Sequence, residues 1–448
     1  MDGQKRDGWL DALRGIAVLL VLGRHLDLAA PGGELPWLLA IWQRGGWVGV
    51  DLFFVLSGFL ITGLLFREHQ RLGSVDVVRF WVRRGLRIYP AFYLLVLVTW
   101  LAYRYYRVPR TSGDALLAEV LFVQNYFGGM WSHTWSLAVE EHFYLALPIL
   151  LWGTLLSVPY KTGTLRSLSH RPFRLLVPIA LLVFIGVPIL RCVNAWDVPY
   201  RHATNLFPTH LRADALMAGV LLAYVFHYHR RSLERLVANR RWTLTILGAC
   251  CFLPAFVFEL ETTWWLSTLG LSLFAFGAVL LIVAGRDVVA LRMLGPIGRR
   301  SYSIYLWHVP MLVWGLPLCE LLLGMQLESS VRILVYLGGS LVLGMLMAWL
   351  IEQPVLWLRD RWVPAEKRTP RSASAAFSLF SYRIRSYDNK HDGGAGGSHQ
   401  SQEVVHDAYA DSCGGGRDAD RIDRLGDGGG LQGGDGHAEK APAEGHRE

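Results

Sequence analysis

Two residues near the amino terminus lie where charged side chains are costly. The stretch LDALRGIAVLLVLGRH (10–25) has the composition of a membrane helix, yet it contains Arg14 and His25. A charged side chain near a bilayer centre costs from about 2.5 to more than about 10 kcal/mol, so it marks a candidate functional site. Eleven helical residues rise about 16 Å in almost three whole turns, which places both side chains on one face. This spacing fits a long ligand with an anionic end at Arg14 and a reactive end at His25.

Polar residues also interrupt the later apolar segments. They are Asp51 and Ser57 in GGWVGVDLFFVLSGFLIT, Arg84 and Arg87 in VRRGLRIYPAFYLL, Glu140 and Glu141 in HTWSLAVEEHFYLALPILL, and His308 in SYSIYLWHVPMLV. An arginine pair one helical turn apart suits bidentate contacts with phosphate. An imidazole can remove a proton near neutral pH, so His25 suits a general base acting on a hydroxyl. Glu140 can orient that imidazole or act as the base itself.

Each of these residues also has a structural interpretation. Arg14 can extend to the lipid headgroups, and the arginine pair can be ordinary charge on a cytoplasmic loop. Asp51, Asp214 and His308 are expected to pack or to support a neighbouring site rather than to react. Arg24 points to another face of the first helix and is expected at the membrane interface.

The composition indicates which elements must position these residues. The chain has 448 residues, of which 52% are hydrophobic and 18% are charged, and it contains 18 tryptophans. It is too apolar for an ordinary soluble domain of this length and fits an all-α polytopic membrane protein. The net charge of +8 belongs to the apolar part, where it suggests cytoplasmic loops rather than nucleic-acid binding. The five cysteines have no metal-binding or CxxC spacing, so we expect neither a metal site nor a disulfide framework.

Apolar runs of about 20 residues, the length that crosses a bilayer, divide this part of the chain. We predict about ten transmembrane helices, at residues 10–28, 45–66, 86–103, 132–156, 175–190, 206–228, 242–259, 264–284, 302–323 and 332–351. The apolar stretch 113–127 is short and is expected to be re-entrant or interfacial. The amino terminus has no A-x-A-like cleavage site, so we expect a retained first helix and not a signal peptide.

The connections between these spans alternate between rich and poor in arginine. Arginines crowd the loops at 67–85 and 229–241, whereas Arg44 stands alone in the first connection. The third connection is an exception, with three arginines at 104–110. Because cytoplasmic loops are enriched in Lys and Arg, both termini are predicted to be cytoplasmic.

The character of the chain changes near residue 366. Segments such as CGGGRDADRIDRLGDGGGLQGGDGH are rich in Gly and Asp and free of aromatic residues, so they cannot bury a core. We therefore divide the chain into a membrane domain, 1–365, and a disordered, dispensable cytoplasmic tail, 366–448.

Together, these segments resemble the acyltransferase 3 family of integral membrane O-acyltransferases, which modify sugars and other hydroxyl compounds. The resemblance covers residues 9 to about 358, with five motifs in the expected order. It implies that Arg14 and His25 are essential and that Arg84 and Arg87 are the arginine pair before IYP. The other matching positions are Trp135, Ser136, Leu137 and Glu140 in the tryptophan–serine–leucine and glutamate signature, and Arg212 and Asp214 in HLRADAL.

The sequence departs from the family pattern in two places. Ala12 stands where a glycine usually follows the first-helix aspartate, Asp11, and the tail resembles no soluble domain of the kind that some relatives carry. Motifs of soluble acyltransferases lack their context, since His210-x-x-x-Asp214 is followed by alanine and HDAYAD lies in the tail. No usable G-x-S-x-G, P-loop or G-x-G-x-x-G occurs, which argues against hydrolase, kinase and dinucleotide chemistry.

The resemblance implies an O-acyltransferase that takes an acyl group, in the first instance acetyl, from cytoplasmic acyl-CoA and needs no metal. The acceptor is expected to be a hydroxyl of a cell-surface glycan or of its lipid-linked precursor. The alternative is a membrane carrier that moves a solute or acyl group with the same buried charges. Carriers often contain paired half-repeats with broken helices, and no such pairing is evident here, so the enzyme is favoured.

Overall fold

The chain folds into helices packed side by side. The computed structural model describes residues 8–29, 35–106, 113–156, 173–284 and 289–364, and these residues contain no strand. Six helical stretches among them are long and apolar enough to cross a membrane: Trp37–Leu72, Val77–Tyr105, Leu176–Asp197, Leu266–Ala284, Ser301–Leu323 and Ser329–Trp362. The all-helical membrane fold is therefore as predicted, whereas the predicted tail, 366–448, lies outside the described residues.

The remaining apolar helices are shorter or less hydrophobic. They are Gly8–Arg24, Trp135–Leu156, Ala213–Tyr228, Arg241–Cys250 and Leu253–Val257. Described helices overlap each of the ten predicted spans, but six helical stretches of the described residues meet the length and hydropathy of a membrane crossing. The stretch 113–127 forms two short helices, Gly113–Val120 and Gln124–Phe127, neither of which is long enough to cross a bilayer.

Short helical segments connect or interrupt the long ones. The π-helical segments are His202–Leu206, Leu266–Gly270, Met311–Gly315 and Ala348–Glu352. The 3-10 segments are Gly46–Val48, Ser132–Thr134, Thr209–Leu211 and Val289–Leu294. The remaining short α-helices are Leu26–Ala29, Trp37–Gly45, Arg230–Ala238, Gly295–Arg299, Ser301–Pro310, Leu316–Leu323 and Gln353–Trp362. The π-helical segment Met311–Gly315 comes directly after the helix that contains His308 and Pro310. Because π-helical turns often occur at functional sites, this segment marks a candidate site.

The first helix is shorter than predicted. It runs from Gly8 to Arg24, His25 occupies a turn, and a separate four-residue helix, Leu26–Ala29, follows. Gly23 lies in the last turn of this helix, where glycine has poor helix propensity and a Cβ would lie 2.1 Å from the indole nitrogen of Trp42. The prediction of one continuous helix over 10–28 is wrong, and His25 lies just beyond the helix that carries the first arginine.

The helix Gly49–Leu72 packs most extensively against Ala213–Tyr228. A Cβ on Gly58 would lie 2.1 Å from a backbone oxygen of the opposite helix, and a Cβ on Gly219 would lie 2.3 Å from one. Small residues allow two membrane helices to approach this closely. At this close crossing, Asp51 near the start of Gly49–Leu72 lies beside Arg212, which directly precedes Ala213–Tyr228.

Candidate active site

Five of the predicted site residues line one cavity of about 80 Å³, which has room for several water molecules. They are Arg14 from the first helix, Ser57 from Gly49–Leu72, Arg84 and Arg87 from Val77–Tyr106, and Glu140 from Trp135–Leu156. Three arginines therefore face a single carboxylate among the cavity-lining residues. Such an arrangement attracts an anionic ligand.

Glu140 is held by two hydroxyl groups. The Ser57 Oγ donates a hydrogen bond to its Oε1 at 2.6 Å, and the Tyr144 hydroxyl donates to its Oε2 at 2.9 Å. The guanidinium carbon of Arg84 lies 4.3 Å from the centre of the Tyr144 ring, within cation–π range. Glu140 thus bonds to a serine and to the tyrosine one turn later rather than to His25, which corrects the hypothesis that it orients this imidazole. The neighbouring Glu141 bonds instead to a different tyrosine.

His25 does not line the cavity but belongs to a cluster of three histidines. Its ring centre lies 5.2 Å from that of His308, and the ring centre of His308 lies 5.1 Å from that of His133. His308 therefore stands beside the predicted base rather than in remote packing. His133 is missed by the sequence analysis, because it lies in a 3-10 turn before the helix and has no helical periodicity; its place two residues before Trp135 is the only signal.

Tyr305 lies between the cavity and the histidines. Its ring centre is 5.9 Å from that of His133 and 5.6 Å from that of His308. Its hydroxyl donates to the His133 backbone oxygen at 2.7 Å and accepts a hydrogen bond from the Ser136 Oγ at 2.6 Å. Tyr305 and Ser136 also line the cavity, so the same two side chains contact both parts of the candidate site.

Two buried ion pairs join the central helices. Asp51 pairs with Arg212 at 2.7 Å, and Asp214 pairs with Arg191 at 2.6 Å, and all four side chains are about 1% exposed. Arg212 and Asp214 therefore have different partners, as expected from their spacing of two. His210 lies near a tyrosine hydroxyl, 3.1 Å away, and does not join the aspartate of the HLRAD motif. Arg191 is a further residue of this buried network that the sequence did not reveal.

The other predicted residues support the packing around the site. Asp11 is buried, with its Oδ2 3.9 Å from the Arg299 guanidinium. Trp135 stacks on a phenylalanine with 4.8 Å between ring centres. Arg24 turns away from the cavity and pairs with a glutamate at a partly exposed position. Across the part of the chain that the structure describes, no group of three His, Cys, Asp or Glu residues is arranged to hold a metal ion.

The fold and the site define an integral membrane protein with an anion-attracting cavity and a buried histidine cluster between its helices. A family model described as "Acyltransferase domain" (Acyl_transf_3) matches residues 7–350, which is most of the chain. The chain therefore belongs to the acyltransferase 3 family, as the sequence motifs predicted. No solved structure matches it.

Curated relatives of the chain carry O-acetyltransferase names. "Peptidoglycan O-acetyltransferase OatA" of Listeria monocytogenes is 28% identical over 77% of this chain and 55% of its own length. "O-acetyltransferase OatA" of Staphylococcus aureus is 28% identical over 68% of this chain and 50% of its own length. "Putative O-acetyltransferase SACOL0978" of Staphylococcus aureus is 30% identical over 67% of this chain and 49% of its own length. The chain thus spans about half the length of the curated relatives it matches.

Proposed function

We propose that the protein is an integral membrane O-acyltransferase that transfers an acetyl group from acyl-CoA to a hydroxyl of a cell-surface glycan. The observation that carries this proposal is the cavity in which three arginines face one carboxylate, next to three imidazoles. An acyl-CoA donor needs cations for its phosphates, and a hydroxyl acceptor needs a base. The relatives named as O-acetyltransferases, one of them for peptidoglycan, support a cell-wall glycan as the acceptor.

The residues divide between the two substrates. Arg84 and Arg87 bind the donor phosphates, Arg14 holds the anionic donor from the opposite helix, and His25 takes the proton of the acceptor hydroxyl. The Glu140 carboxylate supplies negative charge in the cavity, among these three arginines. Asp51, Asp214 and their arginine partners maintain the helix packing that surrounds the cavity, and no metal takes part.

Acyl transfer can be tested directly on the detergent-solubilised protein. Incubation with acetyl-CoA and chitopentaose, a soluble N-acetylglucosamine oligomer, should release free CoA and add the mass of an acetyl ester to the sugar. A carrier that uses the same buried charges would bind acetyl-CoA without releasing CoA. Release of CoA with no acetylated sugar would remove the glycan acceptor from the proposal and leave hydrolysis.

The proposed topology has ten membrane crossings with both termini in the cytoplasm of a bacterial inner membrane. The arginine-rich loops at 67–85 and 229–241 support this orientation. Single cysteines placed in a cysteine-free background should react with an impermeant reagent from outside at 28–44 but not in these two loops. The reverse labelling pattern would overturn the orientation and the cytoplasmic entry of the donor.

A further inference from the structure

Two buried imidazoles, those of His133 and His308, have no role in the acyl transfer proposed above. His308 is 0% exposed and His133 is 5% exposed. They come from different parts of the chain, one from a 3-10 turn and the other from the helix Ser301–Pro310. Because polar side chains are seldom buried without a structural or functional reason, the hydrogen bonds of both rings need to be accounted for.

Backbone carbonyl groups fix the protonation of one nitrogen in each ring. The Nδ1 of His308 lies 2.5 Å from the Tyr305 backbone oxygen, and the Nε2 of His133 lies 3.2 Å from the Leu306 backbone oxygen. A carbonyl oxygen only accepts, so these two nitrogens carry the ring hydrogens. In the neutral rings, the Nε2 of His308 and the Nδ1 of His133 are therefore acceptors. Both atoms are buried and have no hydrogen-bond partner.

The two acceptors lie within reach of a shared proton. The ring centres are 5.1 Å apart and the ring planes meet at 78°. Since an imidazole nitrogen lies about 1.2 Å from its ring centre, this separation of the ring centres allows two facing nitrogens to reach an ordinary hydrogen-bond distance of about 2.9 Å. One added proton would join them in a charge-assisted N–H···N bond and satisfy both atoms. His25 stands at the same distance, 5.2 Å, on the other side of His308.

Neighbouring groups hold His133 in place. The Glu119 carboxylate accepts hydrogen bonds from the Trp131 backbone nitrogen at 3.1 Å and from the Thr134 hydroxyl at 3.0 Å, on either side of this histidine. The charged and titratable groups that face the cluster are Arg24 and Asp27 beside His25, and the Tyr305 phenol beside both buried rings. Among the residues described, no carboxylate bonds to either buried imidazole, so an added proton has the two unpaired ring nitrogens as its acceptors.

We propose that His133 and His308 form a two-imidazole proton acceptor that holds the proton His25 removes from the acceptor hydroxyl. This inference rests on the proposed acyl transfer. The hydroxyl oxygen loses its proton to His25, forms a bond with the thioester carbonyl carbon, and the carbon–sulfur bond breaks to release the CoA thiolate. The proton passes from His25 to the imidazole pair and returns through His25 to the thiolate. Alcohol and thioester thus become ester and thiol, with no proton gained or lost.

Amide substitutions can remove the proton acceptor and leave the fold intact. His308→Asn keeps a donor near the position of Nδ1, and His133→Gln keeps one near the position of Nε2, so both carbonyl bonds can persist. Neither amide can take up a proton. The matched control is His142→Asn, in the helix Trp135–Leu156, because the Nδ1 of His142 bonds to the Thr209 hydroxyl at 2.7 Å, away from the cluster.

Turnover of acetyl-CoA with chitopentaose should fall by about 10- to 100-fold in each single variant, a part of the full effect of a general base. The KM for acetyl-CoA and the thermal midpoint should stay unchanged in these variants. In the control, His142→Asn, turnover, KM and thermal midpoint should all stay unchanged. The double variant should be no slower than either single variant, because the two rings act as one unit. Unchanged turnover in the single variants, or losses that multiply in the double variant, would overturn the proposal.

A second measurement does not depend on activity. Nitrogen-15 NMR of histidine-labelled protein should show His308 protonated at Nδ1 and His133 at Nε2, with one added proton shared between them on acidification. That shared proton should disappear in both single variants. A wild-type protein that releases no CoA would refute the proposed function, whereas the absence of a shared proton would overturn the imidazole pair whatever the activity.

Discussion

The Ser57 hydroxyl donates a hydrogen bond of 2.6 Å to Glu140, a residue 83 positions later in the chain. With Tyr144 it satisfies both oxygens of the carboxylate by neutral donors. Glu140 therefore does not need an arginine as its partner, and the Nε of Arg84 has no hydrogen-bond partner at all. The arginines of the cavity remain available for an anion, while the carboxylate stays fixed among them.

This hydroxyl–carboxylate bond should be measurable as stability. Ser57→Ala removes a hydrogen bond to a charged group, so the free energy of unfolding should fall by about 1.5–3 kcal/mol. Ser340→Ala is the control, because Ser340 is buried but its hydroxyl has no hydrogen-bond partner. Thermal unfolding in detergent should show a loss for the first variant and little change for the second. Equal thermal midpoints for Ser57→Ala and Ser340→Ala would mean that the hydrogen bond to Glu140 contributes nothing to stability.

Loss of Arg14 and loss of His25 should differ in kind. Arg14→Ala should weaken acyl-CoA binding roughly ten- to a hundredfold, since a charge-assisted contact contributes about 1.5–3 kcal/mol. His25→Ala should leave donor binding nearly normal and lower turnover by about 10²–10⁴-fold. Acyl-CoA affinity and turnover, measured on equal amounts of folded protein, separate the two effects.

Arg24→Ala is the control for the loss of a charge beside His25, because the Arg24 side chain pairs with Glu261 at a partly exposed site and does not line the cavity. It should alter neither affinity nor turnover. Small and equal effects of all three substitutions would contradict the division of roles between the first helix and the turn after it.

Glu119 should make stability depend on pH. It lies in the eight-residue helix Gly113–Val120, and burial raises the pKa of its carboxyl to about 7, against the opposing effect of hydrogen bonds from Trp131 and Thr134. Between its unfolded value near 4.5 and about 7 the folded protein binds a proton that the unfolded chain lacks, so stability is lost as pH rises through this window. Glu119→Gln removes that titration and should gain thermal stability relative to wild type between pH 5 and pH 8. If the thermal midpoints of Glu119→Gln and wild type differed by the same amount at pH 5 and at pH 8, this prediction would be refuted.

The close crossing at Gly58 should not accept a methyl group. Gly58→Ala places its Cβ about 2.1 Å from a backbone oxygen that cannot move aside easily, and overpacking of this kind costs about 1–3 kcal/mol. Gly186→Ala is the control, since nothing lies within 4 Å of a Cβ there, and alanine favours a helix by about 1 kcal/mol. The thermal midpoint should fall for the first variant and hold or rise for the second. A tolerated Gly58→Ala would show that the two helices can separate.

Truncation after residue 365 should leave acyl transfer intact. The predicted tail contains none of the family motifs, and its composition does not allow a packed site. Turnover per molecule of membrane-inserted protein is the quantity to compare. A truncated protein that inserts normally but loses activity would assign the tail a role in the reaction.

The sequence predicts the helices well because apolar runs of bilayer length have few alternatives. Glu140, charged and inside such a run, was expected to face the interior, and it lines one cavity with Arg84, which precedes the predicted run 86–103. The position of His25 depended on where the first helix ends, and the helix ends at Arg24 although the apolar run continues beyond it. His133 could not be found in the same way, because it lies in a 3-10 turn before the helix. Arg191 is recognised only by its ion pair with Asp214, a residue distant in the sequence.

The pair formed by Asp51 and Arg212 also constrains how the protein is made. The two residues are 161 positions apart, so at about 5–20 residues per second the aspartate leaves the ribosome roughly 10–30 s before its partner is synthesised. During that interval the second segment carries an uncompensated acid, which lipid would not accept cheaply. We therefore expect its release into the bilayer to be a late event in biogenesis, completed only when the helix that follows Arg212 arrives. Substitution of either residue would then first appear as failed insertion and degradation rather than as slow chemistry.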